Sequence, residues 1–312
     1  MELPQNLQSL HIDSCDGLTS LPESLSESYL SLQELIIVAC HSLESLPRSH
    51  PPTTLRTLYI RDCEKLNYFA ESLQPTRSYS QLEHLFIGSS CSNLLNFPLS
   101  LFLKLKSLSI RDCESFTTFS IHAGLGDDRI ALESLEIRDC PNLEKFPQGG
   151  LPTPRLSSML LSNCKNLRAL PEKLPGLTSL LLCDKLTPRI EWGLRDLENL
   201  RNLEIEGGNN DVESFPDEGL LPRSVFSLRI SGFENLRALN RKGFRDTKAL
   251  KTMEINGCGK LRISSIDEDL PPSLTCLRIS SCPLLAENFA DAETELFLRV
   301  PHVEIDGEFF FC

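Results

Sequence analysis

The sequence predicts an α/β solenoid: a parallel sheet on the concave side of a horseshoe, with a convex side of mostly irregular and 3₁₀ segments. Three observations predict it. One six-part apolar pattern returns thirteen times along 312 residues. Its first half has the two-residue period of a strand, which places both apolar side chains on one face. Prolines crowd the segments between copies and disfavour long helices there.

The pattern opens as Leu7-x-x-Leu10-x-Ile12-x-x-Cys15-x-x-Leu18-x-x-Leu21-Pro22 and repeats as Leu32-x-x-Leu35-x-Ile37-x-x-Cys40-x-x-Leu43-x-x-Leu46-Pro47. The third anchors run Ile12, Ile37, Ile60, Ile87, Ile110, Ile137, Leu161, Leu182, Ile205, Ile230, Ile255, Ile279 and Ile305, at intervals of 21 to 27 residues. That period lies within the window of leucine-rich repeats. A single unit cannot bury its leucines, so neighbouring units must stack and pair their strands into a parallel sheet. Residues 1–285 are expected to hold about twelve repeats, one of them degenerate near 177–192, where Lys185 replaces the cysteine and the chain runs to Trp192. Residues 286–312 are expected to form a partial repeat and a cap, with a short helix over 287–299. The copies at Ile87 and Ile205 carry an extra residue, which predicts a bulged turn. The first repeat begins almost at once, which predicts further polypeptide upstream, since solenoids need capped ends.

Nine of the twelve cysteines fall at one repeat position: Cys15, Cys40, Cys63, Cys91, Cys113, Cys140, Cys164, Cys258 and Cys282. Equivalent positions in stacked units make a column, which argues for small buried groups with a weak S–H donor. Disulfides or Cys-x2–4-Cys zinc pairs would need other spacings. Cys183, Cys276 and Cys312 lie off this column and are expected to be the more exposed.

A net charge of −12 argues against nucleic acid and anionic membranes as partners, because phosphates demand a basic footprint. No apolar run reaches the ~18–20 residues that span a bilayer. The start, Met-Glu-Leu-Pro, lacks a signal peptide's basic and apolar regions. With no Asn-x-Ser/Thr sequon either, the expected setting is a reducing cytoplasm.

Catalytic patterns are missing. There is no Gly-x-Ser-x-Gly elbow, and the six histidines are scattered without metal-ligand spacing. Gly124-Leu-Gly126-Asp-Asp128 lacks the Gly-Lys-Ser/Thr of a phosphate loop. No catalytic, cofactor or metal residues are assigned, and the chain is not expected to be an enzyme.

The residues flanking the third anchor project from the sheet's open face and vary where the anchors do not. Repeats two to four place Ile36, Val38, Tyr59 and Phe86 in adjacent rows, and apolar groups held in solvent mark interfaces. Arg61-Asp62 recurs as Arg111-Asp112 and Arg138-Asp139, either as ion pairs linking successive repeats or as groups that orient a partner. The candidate protein-binding residues are Ile36, Val38, Tyr59, Arg61, Phe86, Arg111 and Arg138. Glu136, Glu204, Glu206, Glu254, Glu304 and Asp306 predict an acidic C-terminal part of that face.

Three passages carry a family resemblance: Leu58-Tyr-Ile-Arg-Asp-Cys63-Glu-Lys-Leu66, Glu136-Ile-Arg-Asp-Cys140-Pro-Asn-Leu143-Glu-Lys-Phe146-Pro147 and Val303-Glu-Ile-Asp-Gly307. Essentially the whole chain resembles the C-terminal repeats of plant nucleotide-binding leucine-rich-repeat immune receptors, and looks especially like the coiled-coil, RPP13-like group. The resemblance implies a sensor that recognises a pathogen effector or a guarded host protein. It also implies that the repeats restrain a nucleotide-binding module through an intramolecular contact. The chain departs from the family in having no Gly-x-x-x-x-Gly-Lys-Ser/Thr loop, so nucleotide chemistry is not implied for it. A stand-alone adaptor, such as a ubiquitin-ligase substrate-recognition subunit, is the alternative; an F-box upstream would favour it and a P-loop would favour the receptor.

Overall fold

The structure, a computed structural model, describes residues 6–22, 25, 31–46, 54–67, 81–121, 130–183, 193–207, 212–263, 270–291 and 299–311. The degenerate segment with Lys185 and Trp192, the Gly124–Asp128 loop, Pro47 and Cys312 lie outside the described residues. The chain forms two compact units: Met1–Ser157 with Cys164–Leu174, and Ser158–Asn163 with Pro175–Cys312.

In the first unit each Leu-x-Ile segment becomes a five-residue strand. In chain order these are β1 (Ser9–Asp13), β2 (Glu34–Val38), β3 (Thr57–Arg61), β4 (His84–Gly88), the short β5 (Asn96–Pro98), β6 (Ser107–Arg111), the short β7 (Thr118–Ser120) and β8 (Ser134–Arg138). The five-residue strands pair in parallel in the order β1-β2-β3-β4-β6-β8. β5 pairs with β7 on the return path. Every second residue is inward: Leu35, Ile37, Leu58, Ile60, Leu85, Ile87, Leu108, Ile110, Leu135 and Ile137 are buried. Behind them, at the Leu/Phe-Pro end of the motif, Phe97, Phe102, Phe116, Phe119 and Phe146 pack as stacked and edge-on rings.

The second unit follows the same logic. Its strands are β9 (Ser158–Ser162), β10 (Ser179–Cys183), β11 (Asn202–Glu206), β12 (Ser214–Phe215), β13 (Ser227–Ser231), β14 (Ala238–Leu239), β15 (Thr252–Asn256), β16 (Cys276–Ser280), β17 (His302–Ile305) and β18 (Glu308–Phe311). β9, β10, β11, β13, β15, β16 and β17 pair in parallel in that order. β18 folds back antiparallel on β17, and β12 pairs with β14. The connecting side holds 3₁₀ turns, at Leu99–Leu101 in the first unit and at Leu194–Asp196 and Arg241–Phe244 in the second, as the prolines predict. The C-terminal helix, α1, covers Pro283–Asp291 and so begins before the expected 287–299. Proline suits a helix's first turn, where its missing N–H would have no partner.

Left-handed residues turn the chain off its long strands at Ser14, Ala39, Asp62, Ser89, Asp112, Asp139, Asn163, Gly207, Gly232, Gly257, Ser281 and Asp306. Glycine, asparagine and aspartate tolerate this conformation best. The turn carries the ladder one step further. The N–H of Ala39 donates to Arg61 O at 3.0 Å, that of Asp62 to Gly88 O at 3.0 Å, and that of Asp112 to Arg138 O at 3.1 Å.

The next residue enters the cysteine column. Cys40, Cys63, Cys113, Cys140, Cys164, Cys258 and Cys282 are buried thiols outside any disulfide. The thiols of Cys40, Cys63, Cys113, Cys140 and Cys282 donate to the carbonyl two residues back at 3.2–3.4 Å. Burial pushes Cys63 and Cys113 up to about 11. Three sequence expectations need correction. Cys91 is not the column member of its repeat: the extra residue moves it out of register and puts Ser90 in its place. Ser90 Oγ donates to Gly88 O at 2.7 Å and accepts from Cys63 N at 2.9 Å. Cys183 is buried rather than exposed, because it ends β10 with its thiol on Glu206 Oε2 at 3.4 Å. Cys15 is exposed rather than buried, because β1 is the end strand of its sheet and is covered from one side only.

Candidate protein-binding face

Parallel register brings the candidate residues of the first unit into two rows on the open face. One reads His11, Ile36, Tyr59, Phe86, Ser109, Glu136; the other reads Asp13, Val38, Arg61, Gly88, Arg111, Arg138. Adjacent strands lie about 4.8 Å apart, near enough for rings at paired positions on one face to meet. Tyr59 and Phe86 therefore stack face to face, with centroids 4.2 Å apart and planes 5° from parallel. Ile36 and Val38 extend this surface on the strand before, and all four are partly exposed.

The arginines are organised around this stack. The Arg111 guanidinium sits over the Phe86 ring, 5.3 Å from its centroid. Arg111 also holds Glu136 Oε1 at 2.7 Å, and Arg138 Nε bonds the same oxygen. Burial pushes the Glu136 carboxyl up, but the two arginine hydrogen bonds outweigh this and hold it below the usual carboxylate range. Arg61 pairs with its neighbour Asp62 at 3.2 Å. Of the repeated pairs, Arg61 meets the Asp62 beside it, while Arg111 reaches across to Glu136 of the next repeat. Asp62, Asp112 and Asp139 each take the left-handed conformation of the turn.

The open face of the second unit departs from the expected acidic patch. Its middle row reads Leu160, Leu181, Glu204, Arg229, Glu254, Arg278, Glu304. Arg229 lies 3.3 Å from Glu204 and 3.5 Å from Glu254, and Arg278 lies 3.1 Å from Glu304. Stacking inserts arginines between glutamates that are far apart along the chain. Leu160 and Leu181, both partly exposed, form a second apolar pair that sequence reasoning missed. The signal was present as Met159-Leu-Leu161 and Leu180-Leu-Leu182, where the middle residue of an apolar triplet must face outward.

Among the described residues no three His, Cys, Asp or Glu side chains gather as a metal site, and no helix is long and apolar enough to cross a membrane. The chemistry of this surface is stacking, apolar contact and charge-assisted hydrogen bonding.

No family model matches the chain. It is 76% identical, over 99% of its length, to an Arabidopsis thaliana sequence that carries the name disease resistance protein At3g14460, of which it spans 24%. A second Arabidopsis thaliana sequence, named as disease resistance RPP13-like protein 1, is 33% identical over 44% of the chain, which spans 13% of it. Among solved structures, a chain of the Toll–Spatzle complex from Drosophila superposes over 91% of this chain and 41% of its own, with a TM-score of 0.53 at 15% identity, a likeness of fold. The chain therefore spans about a quarter or less of the curated relatives it matches. The repeat register, the stacked parallel strands and this identity along nearly all its length lead to one conclusion: the chain is a leucine-rich-repeat region of the plant disease-resistance protein family.

Proposed function

We propose that the open face of the first unit is the recognition surface of a plant innate-immune receptor. It binds a pathogen effector or a guarded host protein in the cytoplasm, and in the full-length receptor it restrains the nucleotide-binding module. The observation that carries the reading is the Tyr59–Phe86 stack with Arg111 over it. Aromatic and arginine side chains dominate the energetics of protein interfaces, and a rigid sheet holds these in solvent at little entropic cost. The function is recognition; chemistry and signalling belong to other modules.

The test is a full-length receptor carrying Tyr59→Ala and Phe86→Ala, expressed in leaf tissue with its matching elicitor. Loss of the elicited defence response at unchanged protein level is expected, or constitutive activity where the face serves restraint. An unaltered response, in both its resting and elicited levels, removes this face from recognition.

A further inference from the structure

On the flank where the chain enters β13, Phe226 stands 46% exposed. Its backbone fixes its neighbours: Phe226 N donates to Arg201 O at 2.8 Å, and Lys251 N donates to Phe226 O at 2.8 Å. Arg201, Phe226 and Lys251 are therefore consecutive rungs of one row. A second row runs beside it through Glu198, Arg223 and Lys248. Each is the second residue of the same tight turn, closed by Leu200 N to Leu197 O, Val225 N to Pro222 O and Leu250 N to Thr247 O.

These six positions hold four cations, one carboxylate and a phenylalanine, in a chain of net charge −12. Asp246, the other acid close by, is taken by Arg195 at 2.9 Å and approached by Arg223 at 3.9 Å. Among the described residues Arg201, Lys248 and Lys251 have no carboxylate at ion-pair distance. Neutral Thr178 and Thr275 bound the first row on either side. The backbone is already committed: Arg201 O accepts from both Phe226 N and Ser227 N, and Phe226 O from both Lys251 N and Thr252 N. A partner is therefore read by side chains, not by strand addition.

We propose that this strip docks an acidic polypeptide segment that carries an apolar side chain. The apolar group packs on Phe226, and flanking carboxylates pair with Arg201, Lys248 and Lys251. Complementary charge selects the partner and speeds its approach, while the exposed ring supplies an anchor. The strip lies in the second unit, and the proposal does not depend on the Tyr59–Phe86 face binding anything.

The test uses the purified chain and a fluorescein-labelled peptide of aspartates and glutamates around a central Leu-Phe pair, read by anisotropy. Binding is expected at low salt and should weaken at about 0.15 M, where the screening length is about 8 Å. Arg201→Glu with Lys251→Glu should weaken it about tenfold or more, and Phe226→Ser by about fivefold, each tenfold being about 1.4 kcal/mol. Lys248→Glu should weaken it as well, and serves in place of the double variant if that loses its circular dichroism. Affinity unchanged in the charge-reversed and Phe226→Ser chains overturns the proposal. Capture by phosphatidylserine vesicles without peptide binding overturns it in favour of a lipid surface. Self-association that disappears with Phe226→Ser, again without peptide binding, overturns it in favour of a second copy of the chain.

Discussion

Gly88 lies under the ring of Phe86: a Cβ placed on Gly88 would come within 2.8 Å of Phe86 Cε1. The missing side chain is filled by the neighbouring ring, and Arg61 Cγ closes the far side at 3.9 Å. The stack with Tyr59 thus depends on a residue two positions away that touches no partner itself.

Gly88→Ala should separate geometry from fold. Alanine in a strand gains roughly 0.5–1 kcal/mol over glycine, while the added methyl displaces the far edge of a ring that can swing into solvent. The unfolding free energy from urea melts should change by less than about 1 kcal/mol. The ring-current shifts of Tyr59 in proton NMR should change strongly. A large loss of stability with an unperturbed stack would mean that the ring is held by something other than this gap.

Ser90 tests the column. Its hydroxyl satisfies both the Cys63 N–H and the Gly88 carbonyl in a buried setting. Ser90→Ala leaves both groups without a partner and should cost about 1–3 kcal/mol. Ser90→Cys places the column's usual thiol there and should restore most of that loss. Equal stability of the two variants in denaturant melts would contradict the assignment.

Thiol labelling reads the same column from outside. The thiolate is the reactive form, and a thiol pushed up to about 11 is ionised in roughly one molecule per thousand at pH 8. Exposed Cys15 and half-buried Cys276 should react first with a maleimide in the native chain. Cys63, Cys113 and Cys140 should react only on unfolding, as mass spectrometry of labelled peptides would show. Fast native labelling of Cys140 would sink the buried column.

Glu136 gives the face a pH dependence of definite sign. Its folded carboxyl titrates below its unfolded value, near 4.3. The two arginine bonds therefore add stability at neutral pH, and this is lost as pH falls through the folded value. Glu136→Gln should lower stability at pH 7 and flatten its fall below about pH 4. An unchanged acid limb in the variant would show that the carboxylate carries no folding energy.

Much of the fold was legible because its period is enforced by burial. Leu58 and Ile60 must face inward together, so strand spacing and register follow from their order. Residues whose role is set by backbone conformation were harder to read. Asp112 looks like half of an ion pair in the string Arg-Asp, yet it sits at φ 51° and turns the chain. Ser90 was hidden by a more conspicuous cysteine one residue later. The rows of the face were legible in the first unit, where Ile36, Tyr59 and Phe86 fall in neighbouring repeats of similar length. Glu204, Arg229, Glu254 and Arg278 lie far apart along the chain. Their alternation exists only after stacking, so the charge of that face could not be read by counting acids.

That alternating row also constrains how the second unit can drift. Arg229 serves Glu204 and Glu254 together, so replacing it by an acid would set three like charges on adjacent strands. A tolerated change there must come with a compensating change in a repeat about twenty-five residues away, and single substitutions are penalised. Ile36 and Val38 carry no such charge pairing and can each be exchanged alone, whereas Tyr59 is tied to Phe86 by the stack. The second unit's open face is therefore held in place by its own bookkeeping of charge, while Ile36 and Val38 can vary one residue at a time.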